Sequence, residues 1–284
     1  MSYQFMGFRR PDGRVGARNL VGVIPSVTCA NDVAQAIVTE VQGTVGYFHH
    51  QGCCQLPPDL DRVTEPLTSL GQSPNVGAVL IVSLGCEGTD FEKMYKTIEA
   101  TGKPVRIIGI QELGGVSNAI QKGIDLARQL VIEISGQQRQ PASIEEVVMA
   151  IKCGASDTTS GMASNCVIGY IADKLVDLGA TVIFGETTEF IGGEHLLARR
   201  AVTPEVGQKI YDIVNAMEAR AKSLGCDMRK GQPTPGNIAG GLSSIEEKTL
   251  GAIVKSGTRP IQGVLDYPEL VTDHKVLWIK DTPG

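Results

Sequence analysis

The stretch Ile151-Lys-Cys-Gly-Ala-Ser-Asp-Thr-Thr-Ser-Gly161 joins two segments of different periodicity. Before it, residues 147–151 form a short apolar run that reads as a buried strand. After it, residues 162–178 are apolar at helical spacing and read as a helix. Between them lie a lysine, a thiol, an aspartate, hydroxyls and glycines. A strand end opening onto a helix start is where an open α/β sheet keeps its ligand site. Glycine lets backbone approach a ligand, and a helix N-terminus attracts anions. The competing reading is a polar cap built on Asp157 or Ser160. A cap does not require the adjacent pair Lys152-Cys153.

The same alternation extends outward. Toward the N-terminus, residues 20–27, 44–48, 76–84 and 105–110 are apolar runs that read as strands, with 76–84 the most apolar. Residues 32–41, 60–70, 90–100 and 116–135 read as the helices between them. Strands alternating with helices over short connections argue for a parallel sheet covered on both faces. Residues 8–19, with Arg9, Arg10, Arg14 and Arg18, are too rich in charge and glycine for a strand, and Pro11-Asp12-Gly13 marks a turn. Polar residues 136–141 mark a boundary. Toward the C-terminus, 181–184, 263–266 and 275–279 read as strands, and 204–224 and 245–255 as helices. The expected architecture is α/β in two lobes, 1–140 and 141–284, each a mainly parallel sheet flanked by helices.

Bulk properties narrow the class. A chain of 284 residues that is 42% hydrophobic and 20% charged suits a globular protein with a sizeable core. A net charge of -5 gives no electrostatic footprint for nucleic acid. No apolar run reaches membrane-spanning length and no signal-peptide pattern opens the chain, so the expected setting is cytoplasmic. There the 7 cysteines are expected as reduced thiols, catalytic groups or metal ligands.

Several side chains carry candidate chemistry. The arginines near the N-terminus suit a carboxylate clamp, since the guanidinium fork binds anions in bidentate fashion; a solvated loop is the alternative. His49-His50-Gln-Gly-Cys53-Cys54 supplies nitrogen and thiolate donors that suit iron or zinc. Cys29, Cys53, Cys86 and Cys153 each follow a predicted strand end, and a parallel sheet gathers such ends on one edge. Chance burial of small apolar thiols is the competing account. Cys166 and Cys226 read as structural. Lys152 suits a base if burial lowers its pKa. Glu186, Glu189, Glu194 and His195 are acid–base candidates, with His195 alternatively a metal ligand backed by Glu194. A plain helix-start carboxylate cluster is the other reading.

The chain resembles the altronate and galactarate dehydratase family, which includes the sulfolactate sulfo-lyase large subunit. The resemblance rests on Asp12-Gly-Arg-Val-Gly-Ala-Arg-Asn19, Cys153-Gly-Ala-Ser-Asp157, Glu186-Thr-Thr-Glu189, Glu194-His-Leu-Leu-Ala-Arg-Arg200 and Pro235-Gly-Asn-Ile-Ala-Gly-Gly-Leu242. It runs from about Gly7 to the end. One motif departs: the family's His-Thr-His-Gly-Cys-Gly is here His49-His-Gln-Gly-Cys-Cys54. The family commonly continues beyond Asp281-Thr-Pro-Gly284 and often carries a small preceding domain or subunit. The resemblance therefore implies a fragment or shortened member that associates with itself or with such a partner.

It further implies a lyase that removes water, or sulfite, from a small hydroxy acid, with Fe(II) or another divalent metal. The first expectation is a hydro-lyase giving a 2-keto-3-deoxy acid from an altronate- or galactarate-type sugar acid. The alternatives are a sulfo-lyase acting on sulfolactate, or a non-catalytic metal- or sugar-acid-binding module. In the lyase reading Lys152, Asp157, Glu194 and His195 are catalytic. Arg14, Arg18, Ser156 and Asn237 bind substrate, and His49, Cys53, Cys86, Glu87 and Cys153 hold the metal.

Overall fold

The computed structural model describes residues 3–267, 269–271 and 275–282. The chain forms two compact units, Gln4–Ala142 and Met1–Tyr3 with Ser143–Gly284.

The first unit is built on a four-stranded parallel sheet. Its strands lie in the spatial order Thr44–Gly46, Leu20–Pro25, Val76–Ser83, Val105–Gly109. All residues of Val76–Ser83 are buried, so this strand reads as a continuous apolar run with no polar face. Alternate side chains still serve different faces. Ala78, Leu80 and Val82 join Val33, Ile37, Ala119 and Ala127 in one core, with helices Asn31–Glu40 and Val116–Ser135. Val79 and Ile81 join Leu67, Met94 and Ile98 in the other, with helices Pro57–Gln72 and Phe91–Glu99. The period of two along a strand thus divides one sheet between two helical layers.

One expectation is corrected in this unit. Residues 8–19 are not strand-free: Gln4–Arg9 pairs antiparallel with Val15–Gly16, and Gln140–Ser143 is the neighbour on the other side. The charges are tolerated because they are partnered. Arg14 forks onto Asp12, and the guanidiniums of Arg10 and Arg139 lie 5.7 and 4.7 Å from the Phe8 ring centroid. The expected turn is present, with the Arg10 N–H donating to the Arg14 carbonyl and the Gly13 N–H to the Arg10 carbonyl. The polar boundary stretch likewise contains a strand, Gln140–Ser143.

The second unit carries another four-stranded parallel sheet, in the order Ile261–Leu265, Leu277–Lys280, Thr181–Phe184, Val148–Ile151. Its core gathers Val182, Phe184, Phe190, Leu197, Ile210, Ile253 and Ile279. Here Val148–Ile151 is an edge strand. Only Ile151 of its residues is buried and Val148 is 49% exposed, which corrects the expectation of a buried strand. The expected helix after it begins with a π-helical turn, Ser160–Ser164, and continues as Asn165–Asp177. Short helices Glu194–Ala198, Met228–Gly231 and Pro235–Ala239 lie in stretches read as loops or left unassigned. The last two residues of the Asp281-Thr-Pro-Gly284 signature lie outside the described residues. Among the described residues, no helix is long and apolar enough to cross a membrane.

Candidate functional site

In the second unit, two strand ends and two helical segments converge on one cavity of about 320 Å³. Lys152, Cys153 and Ser156 follow the edge strand Val148–Ile151; Glu186, Thr188 and Glu189 follow Thr181–Phe184. Thr234, Asn237 and Lys248 close the remaining wall. Asn237 fastens the wall together. Its amide Nδ2 donates to the Ser156 carbonyl at 2.8 Å, and its Oδ1 accepts from Thr234 and, at 3.3 Å, from Lys248.

The loop bearing the two glutamates is pinned by the described part of the C-terminal signature. Thr187 Oγ1 donates to Asp281 Oδ1 at 2.6 Å and accepts from the Thr282 N–H at 3.0 Å. The Thr187 N–H donates to the Thr282 carbonyl. A Cβ at Gly185 would meet the Thr282 hydroxyl at 3.0 Å, so the approach at the strand end is a tight one.

Charge is concentrated in and against the cavity wall. Lys255, buried, donates to Glu186 Oε2 at 2.6 Å and lies 3.8 Å from Glu189 Oε2. Lys248 lies 3.4 Å from Glu189 Oε1 and donates to Gln232 at 2.8 Å. Burial pushes the Glu186 carboxyl up to about 7, Lys255 pulls against it, and Glu189 adds to the rise. Burial also raises the Cys153 thiol, against a hydrogen-bond contact with Ser156 Oγ at 3.3 Å. Cys153 Sγ and one oxygen from each of Glu186 and Glu189 lie within 4.8 Å of one another. Among the described residues this is the only such trio of ligand atoms.

The donor set fits a divalent ion. Glu186 Oε1 and Glu189 Oε2 are buried without a hydrogen-bond partner, a costly state that a cation relieves. One soft and two hard donors suit a borderline metal such as iron(II), manganese(II) or zinc(II).

The other candidates fall elsewhere. Asp157 Oδ1 accepts from the Ser160 N–H at 2.6 Å and from Thr159 Oγ1 at 2.8 Å, so it caps the turn that follows. Glu194 accepts the Gly192 N–H at 2.6 Å, and His195 is exposed in the same short helix; neither lines the cavity. Lys152 lines the cavity but is exposed, without the burial argued for it. Sequence reasoning passed over Lys255 and Lys248. The signal for Lys255 was present: it ends the run Ala252-Ile-Val-Lys255, and a lysine in an apolar run needs a partner.

In the first unit, Arg14 and Arg18 precede the strand Leu20–Pro25, at the amino edge of its sheet. Arg14 is held by Asp12 and the Gln72 carbonyl. The thiols lie at the carboxyl edge. Cys29, Cys53, Cys54 and Cys86 are exposed, with Cys53 Sγ 3.6 Å from Cys54 Sγ. Contact with Cys54, and more weakly the charges of Cys29 and Cys86, raise the Cys53 thiol. Both ring nitrogens of His49 are engaged, Nε2 with the Pro25 carbonyl at 2.8 Å and Nδ1 with the Gln51 N–H at 3.3 Å. Glu87 accepts from Ser26 Oγ and the N–H groups of Leu84 and Gly85. Six of the seven cysteines are exposed and Cys153 is partly so, which removes the account of cysteines as core fillers.

Residues 144–284 match the family described as D-galactarate/Altronate dehydratase, C-terminal, and residues 7–135 match D-galactarate dehydratase/Altronate hydrolase, second domain. The (2R)-sulfolactate sulfo-lyase subunit beta of Chromohalobacter salexigens is 41% identical over 98% of this chain and 71% of its own length. The altronate dehydratase of Bacillus subtilis is 30% identical over 99% of this chain and 58% of its own. For the galactarate dehydratase (L-threo-forming) of Escherichia coli the figures are 33%, 97% and 56%. The chain thus spans little more than half the length of these two dehydratases.

Proposed function

The chain belongs to the galactarate/altronate dehydratase family, and on that premise we propose that it serves a lyase acting on a small 2-hydroxy acid, with a sulfonated acid of the sulfolactate type as substrate. The observation that carries the choice of substrate is the 41% identity to a sulfo-lyase subunit along nearly the whole chain, against 30% and 33% for the dehydratases. This reverses the order of the two readings drawn from the sequence. Dehydration of a sugar acid remains the second reading, since those relatives match along the same span.

Both reactions share one course. The proton on the carbon bearing the 2-hydroxyl leaves, sulfite or hydroxide departs with its electron pair from the next carbon, and the resulting enol settles as a 2-keto acid. A divalent ion held by Cys153, Glu186 and Glu189 would supply Lewis acidity toward the developing charge. The ammonium of Lys248, in the cavity wall, attracts the carboxylate and sulfonate. Lys152 is exposed at the cavity, so its role as proton acceptor requires a bound substrate to cover it. Ser156 and Asn237, in the same cavity lining, orient the substrate hydroxyl. A partner subunit belongs to this reading, because the sulfo-lyase relative is a subunit beta.

The test is anaerobic incubation with Fe(II), alone and with a candidate small subunit, on sulfolactate, altronate and galactarate. Sulfite and 2-keto acid are scored together. Sulfite from sulfolactate supports the proposal. A 2-keto acid formed from a sugar acid without sulfite moves the function to dehydration, and turnover of neither leaves the binding module.

A further inference from the structure

The carboxyl edge of the first unit's sheet holds a second set of donors, in a different unit from the cavity. Three neighbouring strands each run into a loop bearing a thiol. Leu20–Pro25 leads to Cys29, Thr44–Gly46 to Cys53, and Val76–Ser83 to Cys86. The strand ends are level, with Val23 paired to Gly46 and Pro25 to Val82. The loops are stitched together above the sheet. The Thr28 N–H donates to the Gln51 carbonyl and the Gly88 N–H to the Gly52 carbonyl, each at 2.9 Å. Thr89 Oγ1 donates to the Ser26 carbonyl at 2.7 Å. Gly52, at φ 102, brings the loop after Thr44–Gly46 against the loop after Leu20–Pro25, and a Cβ there would meet the Ser26 carbonyl at 2.9 Å.

These bonds bring the loops of Cys29, Cys53 and Cys86 together at one sheet edge, and all three thiols are exposed. Two of the oxygen and nitrogen donors nearby are engaged in holding the loops, whereas His50 is exposed. His49 uses both ring nitrogens and Glu87 both carboxylate oxygens. The edge therefore presents sulfur from three separate loops.

The donor type, thiolates from three separate loops, selects the kind of centre. A single ion with metal–sulfur bonds of about 2.3 Å draws its ligands to about 3.8 Å of one another. Among the described residues, no three of these thiols lie within 4.8 Å of one another. An iron–sulfur cluster takes its thiolates further apart, because each binds a different iron. We propose that Cys29, Cys53 and Cys86 hold a four-iron, four-sulfide cluster whose remaining iron has no protein ligand. That iron is open to an oxygen of water or of a hydroxy acid and acts as a Lewis acid. Cys54 stands outside the ligand set, because it shares a loop with Cys53 and its sulfur lies only 3.6 Å away. The inference does not rest on the proposed substrate.

The test reads metal and sulfide content rather than turnover. The full chain is reconstituted anaerobically with Fe(II), sulfide and a thiol reductant, then desalted. The expected result is about four irons and four acid-labile sulfides per chain, with a visible absorbance band that bleaches in air. Cys29→Ser, Cys53→Ser and Cys86→Ser each lower cluster content about tenfold or more, whereas Cys54→Ser, Cys153→Ser and Cys166→Ser retain it. Circular dichroism of each apo variant separates lost ligation from lost folding, and the wild-type sulfide count stands independently of any variant. Iron bound without sulfide, or a thiolate-to-cobalt band on Co(II) titration that matches one tetrahedral ion, overturns the cluster. Loss of the cluster in Cys54→Ser overturns the open iron, and equal loss in Cys153→Ser overturns the assignment to this edge.

Discussion

Lys255 Nζ lies 2.6 Å from Glu186 Oε2, with both side chains almost wholly shut off from solvent. The two residues are 69 positions apart. A buried pair of this kind contributes little net stability as a pair, but losing one member leaves an uncompensated charge. Lys255→Met is therefore expected to cost about 3–5 kcal/mol in chemical denaturation. The double variant Lys255→Met/Glu186→Gln should lose less than the sum of the two single variants. Strict additivity would show that the two groups are not coupled.

At the neighbouring donors, Cys153→Ser should weaken Mn(II) binding about tenfold or more, read by titration with electron paramagnetic resonance. Mn(II) favours the carboxylates here over the thiols of the other unit. An unchanged affinity would remove Cys153 from the ligand set.

A buried lysine should leave its mark on the pH dependence of stability. Lys103 is 3% exposed and donates to the carbonyls of Gly71 and Ser73. Burial, then the charges of Arg14 and Arg10, lower its pKa from 10.5 to about 7, with Asp12 pulling the other way. Between these values the unfolded chain binds more protons than the folded one. This group's contribution to stability therefore rises as pH increases from about 7 toward 10.5. Thermal melts across this range should show the rise in wild type and a flatter profile in Lys103→Met.

Packing offers a sharper structural test. A Cβ at Gly169 would stand 2.2 Å from the Val254 carbonyl oxygen, where helix Asn165–Asp177 meets the turn Val254–Ser256. Alanine there gains about 1 kcal/mol in helix propensity. Overpacking against backbone, which no rotamer change relieves, costs about 1–3 kcal/mol. Gly169→Ala should therefore lower the melting temperature, whereas Gly136→Ala, with nothing within 4 Å of its Cβ, should not.

Much of the fold was legible in local pattern. The apolar runs at Leu20–Pro25, Val76–Ser83, Val105–Gly109 and Thr181–Phe184 are strands of parallel sheets, and the segments between them are helices. Periodicity reports which face of an element is apolar, and alternating elements over short connections leave few topologies. The pattern misjudged Phe8-Arg9 and Val15–Gly16 because the charges around them are neutralised by partners that composition does not display.

The site was legible only in part. Lys152, Cys153, Ser156 and Asn237 stood out by residue type, and they line one cavity. Lys255 and Lys248, each ending up against a glutamate, did not stand out. By itself the sequence determined the alternation of strand and helix, the two parallel sheets and the set of thiols at strand ends. Only the tertiary structure decided which polar groups meet, that Lys255 rather than Lys152 is buried beside the glutamates, and that the cysteines face outward. Apolar burial is written in short-range periodicity, whereas the partner of a charge is set by where distant segments of chain arrive in space.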